Sequence, residues 1–549
     1  MTGLAYPRPA LAALLGAALL AGAAAVVAAP ASEQLPAPTS AIGIAIAAVV
    51  LTTAFAAGLV RPVEGLFAVL LAAVLEGGFR RWAHNDVTVF LVKDFLLLGV
   101  YGAVLPRLRR EHVRLAWWLV APLAALLLLA VLHVPVAGTA AEAAIGLRSY
   151  VLYVPLLVVA PVLLAGGRAL AFLVALLGLA VAQSVLAAVQ ALAGPGPLNR
   201  LVSGAEPGTV VVQGAEYLRP AGTFMHVGSL AAFVAVGLVA AFALAVGLRR
   251  GPAVTAALLA PGLLLWGAVY AGARALLATT LLVAVAFALG LLASRRLVHL
   301  AAAAAATAVA LVGLVTVAPL LGALVDGALD RVTDPVRERV VLPRYEEEGT
   351  VVLRLDPAEL PPPGSTSRRI VAAEDEAGRE VVVSITRDRE VASVVPEHER
   401  APATAFVSRA TDPSAGDERG AFRTRIAPAF ELAADQGLVG HGTGSMTLGS
   451  AYAGYVSKLA WELGLPGLVL FAWLYAALGI TALLGVRRGR GVARAAALAG
   501  AALLVVLVPW LLVTFVLDYP AVAVATWTLA GLAAAAAAAD PRPAARAET

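Results

Sequence analysis

The chain contains no cysteine, which excludes disulfides, zinc–thiolate centres and cysteine-held iron–sulfur clusters. Charge is also scarce. Only 14% of the 549 residues are Asp, Glu, Lys or Arg, against about 25% in soluble globular proteins. No Gly-Lys-Ser/Thr ending of a phosphate loop is found, so nucleotide binding of that kind is excluded. No internal repeat is evident, and the net charge of +5 comes from residues scattered through short loops. A nucleic-acid-binding protein would gather such charge into a patch or stripe. What fills the space is apolar: 61% of residues are hydrophobic and the mean hydropathy is +0.88. This composition predicts an all-α polytopic membrane protein. The dominance of Ala, Gly, Val and Arg matches a GC-rich coding sequence, so alanine runs carry little functional weight.

About fourteen stretches (12 to 14) are long enough to cross a hydrocarbon core of ~30 Å as helices. They centre near residues 20, 50, 70, 97, 124, 158, 182, 237, 261, 283, 312, 468, 504 and 528. The first follows Arg8 and precedes "AAPAS", a pattern that also suits a signal peptide; it is read as a helix. Counting crossings puts "RLRREHVR" (107–114), Arg249–Arg250, Arg295–Arg296 and "RRGRGVAR" (487–494) on one side. The positive-inside rule makes that side cytoplasmic. Both termini then lie inside, and the expected location is the inner (cytoplasmic) membrane of the cell, with membrane lipids as surroundings.

The same count divides the chain into helices 1–11 (1–325), an extracytoplasmic loop (326–448), three further helices (449–538) and a cytoplasmic tail (539–549). Between 326 and 430 the loop holds 15 arginines and 20 acidic residues, and long loops translocate largely regardless of charge. Within it, about 336–396 alternates apolar and polar residues around a Glu-Ala-Gly turn, as a small β-rich insertion would. A disordered spacer is the competing reading.

Ionisable residues inside a span are costly and mark function by default. The segment 87–106 carries Lys93 and Asp94, just after Arg80 and Arg81 of "EGGFRRW". Sequence neighbours point in different directions on a helix, so these two need separate partners; internal packing with snorkelling ends is the plainer alternative. Arg274 in "VYAGARALLATTLLV" stands at a helix start, where free backbone N–H groups favour an anion. Arg219 in "LRPAGTF" and Arg423 and Arg425 in "FRTRIAPAF" fall at the same outer level. Convergent guanidinium groups suit a phosphate or diphosphate, while any one alone also serves as an interfacial anchor. "GLVGHGTGSM" (437–446) has glycines at alternate positions and His441 among them. Lys458 and Glu462 lie four apart on one helix face, a spacing at which they would pair with each other.

The ordered set of "GLRSYVLYVPL", "AAVQALAGPGPLN", "RPAGTFMHVGSLAAF", "YAGARALLATTL", "FRTRIAPAFELAADQGLVGHGTGSM" and "ELGLPGLVLF" resembles the O-antigen ligase and polymerase family of bacterial membrane proteins. "EGGFRRW" and "KDFLLLGVYG" are similar to segments of its exopolysaccharide members. The resemblance covers most of the chain and is strongest over about 146–480. It implies a metal-independent, inverting glycosyltransferase without a cofactor. Such an enzyme moves a glycan from undecaprenyl diphosphate to a glycan or lipid acceptor hydroxyl at the outer face. It also implies that Arg219, Arg274, Arg423 and Arg425 hold the diphosphate. Family ligases carry a His or acidic residue before the "ELGLPG" helix as proposed base. Here Ala453 and Gly454 stand in that region, leaving His441, Glu462 and His226 as candidates for the proton acceptor.

Other classes remain in view. A flippase for lipid-linked saccharides would show repeats and broken helices near the midplane. A catalytically altered family member fits the missing pair. A transferase using a polyprenyl-monophosphate sugar would need a carboxylate in the first outer loop, where only Glu33 occurs.

Overall fold

In the computed structural model, the described residues are 41–83, 86–108, 116–136, 140–193, 208–212, 215–271, 274–293, 297–317, 369–374, 380–386, 391–395, 440, 443 and 454–539. The expected helix near residue 20, the cytoplasmic tail and most of 326–448 lie outside them. Two compact units are present: one comprises 1–207, 218–318 and 429–549, the other 208–217 and 319–428.

The first unit is helical. Its first seven helices are α1 (Ala41–Val60), α2 (Pro62–Trp82), α3 (Val87–Val104), α4 (Trp117–Leu132), α5 (Ala140–Val151), α6 (Leu156–Leu163) and α7 (Gly167–Ala193). Then come α8 (Val227–Gly247), α9 (Pro252–Ala271), α10 (Arg274–Ala293), α11 (Leu297–Val317), α12 (Tyr455–Arg488), α13 (Gly491–Val513) and α14 (Pro520–Ala538). Helices suit these stretches because each satisfies its own backbone polar groups, which an apolar surrounding cannot do. Among the described residues, ten helices are long and apolar enough to cross a membrane. This is the make-up of a polytopic membrane protein. The inner helices are α8 and α14, each 89% buried over its apolar window, whereas α1 is 6% buried and turns its Ile and Val side chains outward.

The crossing expected near residue 158 is not one long helix. The chain breaks at 152–155 into α5 and α6, which are 12 and 8 residues long. Pro155 has no N–H to continue the ladder from α5, and Leu156 and Leu157 instead donate to Tyr153 and Val154. A second irregularity lies in α12, where Gly464 adopts φ 68° and ψ −169°.

Short connections make successive helices alternate in direction. One end of the bundle therefore collects the ends of α2, α4, α7 and α13 and the starts of α3, α5, α8, α12 and α14. The opposite end carries exposed or half-exposed basic residues, including Arg107, Arg249, Arg250 and Arg487. There Arg488 donates to the Ala537 carbonyl at 2.6 Å, tying α12 to α14.

In the second unit, β3 (Arg369–Glu374), β4 (Glu380–Thr386) and β5 (Val391–Val395) form an antiparallel sheet in the order β3-β4-β5. Val371 faces Val383, and Val383 faces Val394, so valines line up across all three strands. A separate pair, β1 (Gly208–Val212) and β2 (Ala215–Arg219), precedes α8.

Candidate functional site

The end of the bundle away from the basic loops contains a non-helical segment packed inside it. After Arg219 closes β2, residues 220–224 are all buried. Buried backbone that is neither helix nor strand must find partners elsewhere. Here three motifs provide them. Thr223 donates its hydroxyl to the Val74 carbonyl at 2.6 Å, and its own carbonyl accepts from the Gly78 N–H at 2.9 Å. The side-chain amides of α7 complete the set. Gln183 accepts from the Thr223 N–H at 3.1 Å, while Gln190 accepts from Gly222 and donates back to its carbonyl. Val74 lies eight residues before the end of α2, which places Thr223 about 12 Å below that end at 1.5 Å per residue. The glycines of "EGGF" have a direct reason. A Cβ on Gly77 would stand 2.5 Å from the backbone of Thr223, Phe224 and Met225, so no larger residue admits this segment.

Beside it lies a buried ionic network. Lys93 reaches Glu76 at 3.1 Å and also donates to the Phe90 carbonyl at 2.6 Å. Asp94 receives Arg148 in a two-pronged contact, Nε to Oδ2 at 2.6 Å and Nη2 to Oδ1 at 3.0 Å. The separate partners expected for Lys93 and Asp94 are thus Glu76 on α2 and Arg148 on α5. The two also approach each other to 3.6 Å. Arg80 stands 3.6 Å from Glu76. Three cations surround the Phe90 ring, Lys93 at 4.2 Å, Arg148 at 4.3 Å and Arg80 at 5.2 Å. A ring face offers such cations partial negative charge without adding a full one.

A second set begins at the next two residues of α5. Ser149 and Asp518 both bond Lys458, at 2.9 and 2.7 Å, and Tyr150 donates to Glu462 at 2.8 Å. Lys458 therefore pairs with Asp518 across the bundle rather than with Glu462 along its own helix. An exposed pair four apart on a helix contributes only ~0.3–0.5 kcal/mol. A fully buried ammonium needs closer compensation, and the loop before α14 supplies it. One oxygen of Asp518 takes Lys458, while the other is buried with no hydrogen-bond partner among the described residues. A small recess borders this set, lined by Ser149, Tyr150, Tyr455 and Leu517 among others.

The candidate residues from the sequence distribute as follows. His226 directly precedes α8, is exposed, and caps the helix with no side-chain hydrogen bond. Enclosure on its protein side and the nearby Arg80 cation both hold its imidazole below the ordinary histidine value. The ring is therefore neutral near pH 7 and able to accept a proton. Glu462 is completely buried against Tyr150, so a substrate hydroxyl has no direct path to it in this state. Arg219 ends β2 and Arg274 begins α10; their side chains lie outside the described set. Arg423, Arg425 and His441 lie outside the described residues, although Gly440 packs against the backbone of Glu462 and Leu463. Among the described residues no three His, Asp or Glu side chains gather as a metal site requires.

Gly454 now has a packing role. A Cβ there would collide with the Leu512 carbonyl, and the next residue donates its N–H to Thr514 at 3.1 Å. A bulky ionisable residue at 454 does not fit that contact.

No family model, curated protein or solved structure matches the chain. Sequence reasoning missed Arg148 and Asp518. The signal for Arg148 was present, since it is the only charge in "GLRSYVLYVPL". Asp518 sits between two apolar runs, where an acidic loop residue looks ordinary.

Proposed function

We propose that the protein is a membrane glycosyltransferase of the O-antigen ligase and polymerase kind. It takes a glycan from an undecaprenyl-diphosphate carrier and forms a new glycosidic bond to an acceptor hydroxyl. In this reading the end bearing residues 219–226 faces away from the cytoplasm, both termini face inward, and the β-rich insertion is part of the extracytoplasmic loop. The observation that supports it is the packing of "EGGF", "VAQSVLAAVQ" and "RPAGTF" into one unit through Gly77, Gln183, Gln190 and Thr223. These segments are far apart in the sequence, and two of them belong to the resemblance. Arg219 and Arg274 then hold the diphosphate and stabilise charge on the departing group. His226, exposed and neutral, is the described candidate best placed to accept the acceptor's proton.

A flippase is the second reading, favoured by the break between α5 and α6 and by the kink at Gly464, since transporters build sites on discontinuous helices. Proteoliposomes containing a polyprenyl-diphosphate oligosaccharide and an acceptor glycan separate the two. With chelator present and no nucleotide sugar, the expected product carries a new bond of inverted anomeric configuration, detected by mass spectrometry and NMR. Movement of substrate between leaflets without any new bond favours the flippase. Neither bond formation nor movement sinks both.

A further inference from the structure

Within the buried segment 220–224, both backbone polar groups of Gly222 go to a single side chain. The Gly222 N–H donates to Gln190 Oε1 at 3.0 Å, and its carbonyl accepts from Gln190 Nε2 at 3.2 Å. A primary amide presents the same acceptor and donor pair as a neighbouring strand, so this contact fixes orientation as well as distance. Gln190 is fully buried near the end of α7, where a peptide deprived of it is costly to leave unsatisfied. Gln183, two turns earlier on the same face of α7, accepts from the Thr223 N–H at 3.1 Å. Gly222 itself adopts φ 61°, and a Cβ there would stand 2.5 Å from Gln183 Oε1. The glycine and the two glutamines are thus fitted to one another.

Two residues of the site lie on either side of this peptide. Arg219 comes three residues before Gly222 and His226 four residues after it. An extended chain covers at most ~3.6 Å per residue, so neither backbone position lies more than about 14 Å from the pinned peptide. On the second side the Phe224 N–H closes back on the Ala221 carbonyl at 3.0 Å. His226 then emerges exposed, directly before α8.

We propose that Gln190 is a positioning residue: its two-pronged hold on the Gly222 peptide sets Arg219 and His226 relative to each other. The proposal rests on the glycosyltransferase reading, in which Arg219 holds the diphosphate and His226 accepts the acceptor's proton. Those two events then need a fixed spacing, and a misplacement of about 1 Å from a change far from the chemistry can cost about 10²-fold. Carrier binding also draws on Arg274, so the loss falls on kcat.

The test removes the hydrogen bonds and keeps the volume, with Gln190→Met in the full chain, supplied with a polyprenyl-diphosphate oligosaccharide and an acceptor glycan. The expected fall in kcat is about tenfold to a hundredfold, with KM for the carrier within about threefold of the native chain and an unchanged size-exclusion profile. Gln183→Met, which removes one bond of the set, should give a smaller loss of the same kind. Val189→Ala, on the exposed side of α7, should give none. In an Arg219→Ala background, Gln190→Met should add less than about threefold, because it acts through that residue. A second readout needs no turnover. The cysteine-free chain accepts nitroxide labels at Val136→Cys and His226→Cys, and the distance between them should be narrowly distributed with Gln190 present and broad with Gln190→Met. A broadened distance in a chain that transfers no glycan sustains the hold on Gly222 and sinks the enzymatic reading alone. An unchanged distance, an unchanged kcat in an active preparation, or a full loss that persists in the Arg219→Ala background overturns the positioning role.

Discussion

Replacing Asp94 with alanine is expected to lower the stability of the folded bundle by about 3–5 kcal/mol, the usual cost of breaking a buried ion pair from one side. Arg148 now spends two N–H groups on Asp94, and the two side chains are 10% and 3% exposed. Beyond the Phe90 ring, its remaining hydrogen bond is a 3.4 Å approach to the Tyr153 hydroxyl, a neutral group. Lys93 loses its second carboxylate at the same time. Glu76 would then face three cations alone. Rotation toward water is blocked by the Phe90 ring below the guanidinium and by the surrounding helices. The control is the double variant Asp94→Leu/Arg148→Met, which removes both charges and should recover most of the loss, because an apolar pair of similar volume carries no desolvation penalty. Unfolding of the detergent-solubilised protein by added denaturing detergent measures both. A single variant as stable as wild type would show that the pair is solvated.

The contrast between what sequence revealed and what it hid follows from the same physics. Apolar length is a strong signal for membrane helices, and it located α2, α3, α4, α7, α8, α12, α13 and α14 directly. It failed at residues 152–163, where the hydropathy of "LYVPLLVVAPVL" stays high while Pro155 interrupts the helix. Hydropathy reports cost in lipid and is blind to a missing N–H. Lys93 and Asp94 were visible as expensive residues, and helix geometry required them to find different partners. Which partners was not legible, because Glu76 and Arg148 come from helices whose adjacency no local pattern encodes. "EGGFRRW" attracted notice for its arginines, yet its glycines matter as much: Gly77 is required by a backbone that arrives from residue 223. Lys458 and Glu462 looked like a local pair. A tertiary carboxylate at 2.7 Å displaced that arrangement, since local spacing offers fractions of a kcal/mol and full burial demands more.

The second large effect concerns turnover. Arg219→Ala and Arg274→Ala are each expected to reduce glycan transfer by about 10²–10³-fold, the range seen when one donor to developing transition-state charge is removed. Arg219 stands one residue before the packed segment 220–224, and Arg274 begins a 20-residue helix. Loss should appear mainly in kcat, because charge on the diphosphate grows as the glycosidic bond breaks. Lysine at either position should recover only part, since an ammonium replaces the charge without the paired geometry of guanidinium. Turnover that persists in both alanine variants removes these residues from the chemistry. On the proposed reading both groups act on the same oxygen cluster, so the double variant is expected to lose less than the product of the two single losses.

The account depends on which way the bundle faces. On the proposed reading a carrier-linked glycan is used at the outer surface, which requires the end holding Thr223, Arg80 and His226 to lie there, with Arg249 and Arg250 inside. The absence of cysteine makes this measurable without a background signal, using the single substitutions Val136→Cys and Arg250→Cys. Val136 lies at the site end and is 48% exposed, while Arg250 lies at the basic end and is also exposed. In intact spheroplasts treated with a membrane-impermeant maleimide, the Val136→Cys protein should label strongly and the Arg250→Cys protein only after lysis. The reverse pattern, with Arg250→Cys labelled in intact spheroplasts and Val136→Cys protected until lysis, would put the site in the cytoplasm and contradict transfer at the outer face.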